Sequence, residues 1–507
     1  MALLVLLGAV LCTRMSRPWT YNDDYNGAFW SQAARNMSAA GFLSTAGVPA
    51  PLYFGQPPIP AGELYVHHPT LLAAMMLLDR TILGESEAAA RSLPILFSLL
   101  TAILLWLFIS ASEGWREGVF ALAFFIAAPM ELHYGQMINF EAPELFFMLA
   151  ALCSFHSWHR ERTTGWAVMF LLCCALALWT DWQGYLLVGL LAAQLLLENP
   201  RRNVRMCGCM VLTAGFSGMG FLLQIHLASP GSWQELYHAF LERSGHGNLA
   251  GGSFTAAQWL RTEFTYLITL FHPVAWLLAA AGATMAWNER RRLSPREAAP
   301  IHVATILFVI DAVYVCALRN QSYIHDFAGF YFLVPIAILS GYAVERFLRH
   351  IEGRWAGYVP VAATAAICAV CGGLIWSGIA RLNGIDTQFC ILDDDDTEPA
   401  TLMPDVGHLL NASFPADAVI VCNFDRYYSP LPYYAHHIMV NDVRDYAAWR
   451  EAVADALPQA AGGIIWANAP DAADLLHRLP TSETRPVAVD GIPFVLWQPR
   501  AVLSHAP

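Results

Sequence analysis

Residues 65–110 read YVHHPTLLAAMMLLDRTILGESEAAARSLPILFSLLTAILLWLFIS, and the change of character along them decides the fold class. From Ser92 to Ser110 no residue is charged, and a helix of that length spans the roughly 30 Å of a bilayer's hydrocarbon. Upstream, Thr70 to Leu83 is equally apolar but short, and Asp79 and Arg80 interrupt it. That pattern suits a helix lying on a membrane surface rather than crossing it. Ahead of both stand Tyr65, His67, His68 and Pro69. Paired histidines beside a membrane face suit phosphate when protonated and metal when neutral; an interfacial anchor is the plainer reading of the same residues.

The rest of the chain repeats the theme. Of 507 residues, 56% are hydrophobic and 13% charged, against roughly 25% charged in soluble domains. Apolar runs fall near 2–13, 92–110, 117–130, 144–159, 165–179, 183–198, 206–227, 263–286, 301–317, 330–345 and 356–378. They predict a mainly α, polytopic helical membrane protein of about 11 spans. The first run is short for a span, and it lacks the charged n-region and A-x-A site of a cleaved signal peptide. Arginine is the only strong cation. Arg116, Arg160, Arg162, Arg201, Arg202, Arg205, Arg290 to Arg292, Arg296, Arg346, Arg349 and Arg354 all fall in alternate loops. The positive-inside bias makes that side cytoplasmic. The opposite, extracytoplasmic side then holds the first loop (14–91), the loops 131–143, 180–182, 228–262 and 318–329, and the tail. The net charge is −12; the acidic tail carries most of it, and nothing is basic enough for nucleic acid.

Domain organisation follows: a membrane domain over 1–378 and an extracytoplasmic small α/β domain over 379–507. In the tail, Ala418–Val421, Gly463–Trp466 and Phe494–Trp497 read as strands, and Tyr446–Ala456 and Asp471–Leu479 as helices. Asp393 to Asp396 reads as a solvated linker, with a calcium site as the alternative. Cys368 and Cys371 form a CxxC inside a predicted span, where packing outweighs metal or redox work. Cys390 and Cys422 are a conceivable pair in an oxidising compartment. Asn36, Asn320 and Asn411 open N-x-S sequons.

Chemistry-bearing residues gather on the outer side. Asp23 and Asp24 precede the helical pattern Asn26–Gly41, as an N-cap or as a general base removing a proton from an acceptor hydroxyl. Glu141 lies before the fourth span and is a functional candidate; Glu144 reads as the cheaper, interfacial acid. Asp181 and Trp182 occupy a tight outer turn. His325 and Asp326 open the tenth span, where the carboxylate would orient the imidazole. Five acid or histidine clusters from separate loops on one face are hard to explain as packing.

The order of these pieces resembles the GT-C glycosyltransferases of the protein O-mannosyltransferase and aminoarabinose-transferase type, family 39, over roughly residues 17–345. The clearest match is Tyr65 to Leu72 followed by Gly84-Glu85-Ser86-Glu87-Ala88-Ala89-Ala90-Arg91-Ser92-Leu93-Pro94. Asn139 to Phe147 is similar to the segment carrying the family's second acid, with Glu141 in its place, and Asp326 to Pro335 to its aromatic-rich entry into a late span. A gap-free count back from Arg35 and Met37 lands on Asn26 and Gly27, two residues past Asp24, where the family keeps its first-loop acid.

The resemblance implies inverting transfer of a sugar from a polyprenyl-phosphate donor to an acceptor on the extracytoplasmic face of the bacterial inner membrane, the acceptor being a lipid, a glycan or a protein. Asp24 would be the base, with Asp23 second. His68 would bind the donor phosphate, helped by His67, His325 and Arg261. Tyr65, Asp181, Trp182 and Asp326 would contact substrate. Glu141 would orient the acceptor or hold a divalent metal, whose use the residues leave open. A polytopic transporter and a non-enzymatic envelope assembly protein are the competing classes; the chain lacks the paired halves a transporter would carry.

Overall fold

A computed structural model describes the chain except residues 20, 247–252, 356–357, 385–400, 425–429, 441–442, 457–460, 470–471, 482 and 499–507, and except the side chains of 21–23 and 381–384. Asp393 to Asp396 and Cys390 therefore lie outside the described residues. The helices in chain order are α1 (Ala2–Cys12), α2 (Tyr21–Ala40), α3 (Leu71–Leu83), α4 (Glu87–Ser112), α5 (Trp115–Ala127), α6 (Pro129–Tyr134), α7 (Glu141–Glu161), α8 (Thr164–Thr180) and α9 (Gln183–Glu198). They continue with α10 (Pro200–Ala228), α11 (Ser232–Arg243), α12 (Ala256–Phe271), α13 (Pro273–Glu289), α14 (Ala298–Ala317), α15 (Arg319–Ile324), α16 (Leu333–Arg354) and α17 (Tyr358–Gly384). The tail holds α18 (Leu402–Ser413), β1 (Val419–Cys422), α19 (Pro430–Ala435), β2 (Ile438–Val440), α20 (Tyr446–Ala456), β3 (Ala461–Trp466), α21 (Ala472–Arg478), β4 (Thr484–Val489) and β5 (Ile492–Trp497).

Among the described residues, every apolar run is helical over most of its length. Among the described residues, five helices are long and apolar enough to cross a membrane: 87–112, 200–228, 298–317, 326–354 and 358–380. The run at 263–286 is not one straight helix, since α12 and α13 meet at a 93° bend and make at most a sixth span. The cause is local. Pro273 disfavours helical backbone at the residue before it, and His272 takes φ 57, ψ 132. α1, α8 and α9 are apolar but shorter.

The chain divides into two compact units. The first comprises 1–15, 66–75 and 91–391; the second comprises 16–65, 76–90 and 392–507. Most of the first outer loop thus packs with the tail, a grouping that the linear division at 378 does not contain. In the first unit, α7 packs on α8, α13 on α16 and α16 on α5. Small residues permit the closest approach: a Cβ on Gly282 would sit 2.0 Å from the Leu339 carbonyl oxygen, as expected where dispersion rather than the hydrophobic effect joins helices in lipid.

In the second unit, the tail forms a five-stranded sheet of order β2-β1-β3-β5-β4. β2, β1 and β3 run parallel, and β5 and β4 antiparallel. Successive residues of β1 enter opposite cores. Ile420 and Cys422 pack with α18 and α19 residues such as Leu410 and Leu431, while Val419 and Val421 pack with Trp449 and Leu475 of α20 and α21. The sequence pattern places three of these strands and misses the shorter β2 and the largely exposed β4. Cys422 is buried in β1. Asn36 and Asn320 are buried; Asn36 spends its amide on the carbonyls of Ala50 and Tyr53, so neither sequon is accessible to a glycosylating enzyme.

Candidate active site

In the first unit, the turn at His67–Thr70 is pinned by side chains from distant segments. The His68 ring is buried and stacks on Phe140 at 4.2 Å. Its Nδ1 lies 2.7 Å from Asp181 Oδ1, and its Nε2 lies 2.5 Å from a guanidinium nitrogen of Arg243. A guanidinium only donates, so Nε2 accepts and the ring proton sits on Nδ1, donated to Asp181. Burial and the Arg243 charge push the His68 pKa down, opposed by Asp181. The ring therefore works as a neutral link between a cation and a carboxylate, not as the phosphate-binding cation that the resemblance implies for it.

Its neighbours are held in the same way. Trp182 Nε1 donates to the His67 carbonyl at 3.1 Å. His67 Nε2 meets Glu235 Oε1 at 3.2 Å, and Thr70 Oγ1 donates to Gln224 at 3.1 Å. Burial first, then Arg243 and His68, lower the His67 pKa to about 3. His325 stacks on Phe327 at 4.9 Å, and burial and Arg243 bring its pKa to about 4. One arginine thus acts electrostatically on three neutral imidazoles. Arg243 ends α11, where a cation is favoured by the helix dipole. Beside it opens a cavity of about 520 Å³ whose walls are apolar and aromatic, among them Trp182, Trp233, Tyr237 and Phe240; His67 and Arg243 are its ionisable lining.

The candidate acids come from α7 and from the residues that precede α16. Glu141 starts α7 and is buried, with Asn139 donating to its Oε1 at 3.3 Å. Glu144 is completely buried, which corrects its reading as an interfacial acid. Both stand within electrostatic reach of Asp181. Asp326 accepts a 2.5 Å hydrogen bond from the Tyr134 hydroxyl, a partner that the sequence pairing with His325 does not suggest. Arg261 is exposed on α12, and the contacts among the described residues do not bring it to the cluster. No group of three His, Cys, Asp or Glu among the described residues is placed to hold a metal ion.

Asp24 and Tyr65 belong to the second unit. α2 begins at Tyr21, so Asp24 sits inside the first turn rather than at the cap; its charge still suits the positive helix end. It is half-buried, and the Asp23 side chain lies outside the described residues. Tyr65 packs edge-on against Phe29 and Trp30, at 5.3 and 5.8 Å, one to two turns farther along α2.

The residues that sequence reasoning misses are Arg243, Glu235, Gln224 and Tyr134. One signal was present for Arg243: of the two arginines in the 228–262 loop, it closes an amphipathic stretch bearing Trp233, Tyr237 and Phe240, whereas Arg261 does not.

Residues 67–221 match the family described as dolichyl-phosphate-mannose-protein mannosyltransferase. No curated protein matches the sequence. Among solved structures, ArnT from Cupriavidus metallidurans bound to undecaprenyl phosphate is similar over 98% of this chain and 97% of that one, with a TM-score of 0.63 at 15% identity. The oligosaccharyltransferase AglB from Archaeoglobus fulgidus, in complex with an inhibitory peptide and a dolichol-phosphate, is similar over 92% of this chain and 69% of its own, with a TM-score of 0.57 at 14% identity. At such identities these two likenesses concern the fold. The family match thus covers His67, His68, Glu141 and Asp181, and the fold is similar to that of ArnT over nearly the whole chain.

Proposed function

We propose that the protein moves one sugar from a polyprenyl phosphate to an acceptor hydroxyl at the extracytoplasmic face of the bacterial inner membrane, with inversion. The observation that carries this reading is a cation on the wall of an aromatic cavity. A lipid phosphate needs an apolar bed for its chain and fixed positive charge for its head, and Arg243 beside Trp182, Trp233 and Phe240 offers both. Positive charge at the departing phosphate stabilises the transition state, where negative charge develops on the leaving oxygens. In this reading His68 and Asp181 aim Arg243, and His67 and His325 line the head-group site as neutral rings.

Asp24 is the base, with Asp23 as its neighbour. It would take the acceptor proton as the hydroxyl oxygen bonds to the anomeric carbon and the carbon–phosphate-oxygen bond breaks. Glu141, Tyr65 and Asp326 contact substrate. The long apolar helices span the bilayer, with the arginine-rich loops in the cytoplasm and the tail outside; the one-sided arginine distribution supports this orientation.

The test is release of polyprenyl phosphate from a panel of polyprenyl-phosphate hexoses and pentoses by the purified chain. Turnover on at least one donor, with Arg243→Ala raising donor KM by about 10², is the expected result. Turnover that is indifferent to Arg243 would remove the head-group assignment, and no release from any donor would remove the proposal.

A further inference from the structure

The second unit contains a hydrogen-bonded chain that the reaction scheme leaves unused. The Tyr434 hydroxyl, on α19 of the tail, accepts the backbone N–H of Trp19 at 2.8 Å and donates to Glu87 Oε1 at 2.6 Å. Trp19 stands two residues before α2. Its buried ring lies against the first turns of that helix: a Cβ on Gly27 would be 2.3 Å from the ring. One side of the start of α2 is thus seated on Trp19, and Trp19 is tied to the tail by Tyr434. Farther along, Arg35 repeats the connection. Its NH1 donates to the Tyr433 carbonyl at 2.8 Å, its Nε donates to Glu85 Oε1 at 2.7 Å, and its guanidinium lies 4.1 Å above the Tyr433 ring. α19 accordingly packs along α2.

From this geometry we infer that Tyr434 is a positioning residue: through Trp19 it sets the start of α2, and with it Asp24. The inference rests on Asp24 as the base. It gives Glu85 and Glu87 of the Gly84–Glu87 motif a function as the floor on which the tail's two tyrosines stand. A base misplaced by about 1 Å can cost up to 10²-fold in rate, so a link that moves the first turn of α2 changes turnover without touching substrate.

Tyr434→Phe in the full-length chain keeps the ring and deletes both hydrogen bonds. Amide exchange over residues 19–27 is expected to rise about tenfold, while peptides covering β1 and β3 stay protected. On the polyprenyl-phosphate sugar that the parent chain turns over, kcat should fall about tenfold with donor KM unchanged. Glu87→Gln keeps an acceptor for the hydroxyl and should retain protection; Glu87→Ala should not. In an Asp24→Asn background, Tyr434→Phe should lower turnover no further. Unchanged exchange at 19–27 in Tyr434→Phe overturns the proposal, and so does a loss of turnover that simply multiplies with that of Asp24→Asn. An Asp24→Asn chain with full turnover would instead sink the base assignment and leave the exchange measurement to judge the seat on its own.

Discussion

At the scale of single residues, the site is built around one permanent charge. Arg243 donates to His68, and His68 donates to Asp181; each bond fixes the direction of the next. Asp181→Asn can place its amide N–H against Nδ1 and reverse the ring's tautomer, leaving Nε2–H facing the Arg243 donors. Loss of such a partner behind a functional group commonly costs 10- to 100-fold, so a fall in kcat of that order is expected, measured as donor turnover. A variant within twofold of the parent would show that the tautomer is not needed. The pH behaviour has a definite sign. His67 and His325 have folded pKa values of about 3 and 4, below the ordinary 6.5. Between those limits the unfolded chain binds more protons, so stability is full above about 6.5 and drains as pH falls toward 3. The purified protein should therefore melt at lower temperature at pH 4.5 than at pH 7. His67→Gln and His325→Gln should each narrow the gap, and a gap that stays the same width in both would refute the assignment.

At the scale of elements, helix existence was legible wherever an apolar run exceeded about ten residues, because lipid demands an internally hydrogen-bonded backbone. What was not legible was the effect of one residue or one distant partner. The bend at His272 was signalled by Pro273, but a 24-residue apolar run outweighs one proline until the positive φ is seen. The start of α2 was placed too late because Tyr21–Asn26 is polar; its apolar partners come from elsewhere in the unit, α19 included. His67, His68, Glu141 and Asp181 could be nominated because ionisable side chains at a membrane face are costly. Arg243 was passed over because its relation to His68 spans 175 residues, and the one local signal, its place at the end of an aromatic amphipathic stretch, does not point to a histidine so far away. Helix contacts make an element-scale prediction. Gly282→Val would drive a side chain into the Leu339 carbonyl and should destabilise the α13–α16 pair by about 1–3 kcal/mol. Thermal unfolding in detergent reads this directly, and an unshifted midpoint would mean that the two helices separate freely.

At the scale of the whole molecule, the grouping of the first outer loop with the tail changes what a truncation should do. Read along the chain, residues after 384 look like an appendage that tunes acceptor choice, because the recognisable motifs end earlier. Within the second unit, however, Arg35 reaches the Tyr433 carbonyl, Trp19 reaches Tyr434, and Tyr434 reaches Glu87. Deleting 392–507 removes all of these partners at once. It leaves the Arg35 guanidinium with Glu85 but without its carbonyl, strips the Trp19 amide of its acceptor, and exposes the α2 surface that α19 covers. Each buried polar group left unsatisfied costs about 1–3 kcal/mol, against a total stability of order 5–15 kcal/mol for a domain. These lost partners and an uncovered helix face suffice to release α2 from its seat. Membrane insertion depends on the apolar helices that precede residue 381 and should survive. Donor turnover should not, even with water as the acceptor. The measurement is polyprenyl phosphate release by the truncated chain after its insertion has been verified by alkali-resistant membrane association. Release at the parent rate with altered acceptor range would restore the tail to an acceptor-selecting appendage. Complete loss, together with proteolytic sensitivity appearing within 21–40, would establish that the tail holds the first loop in its working form.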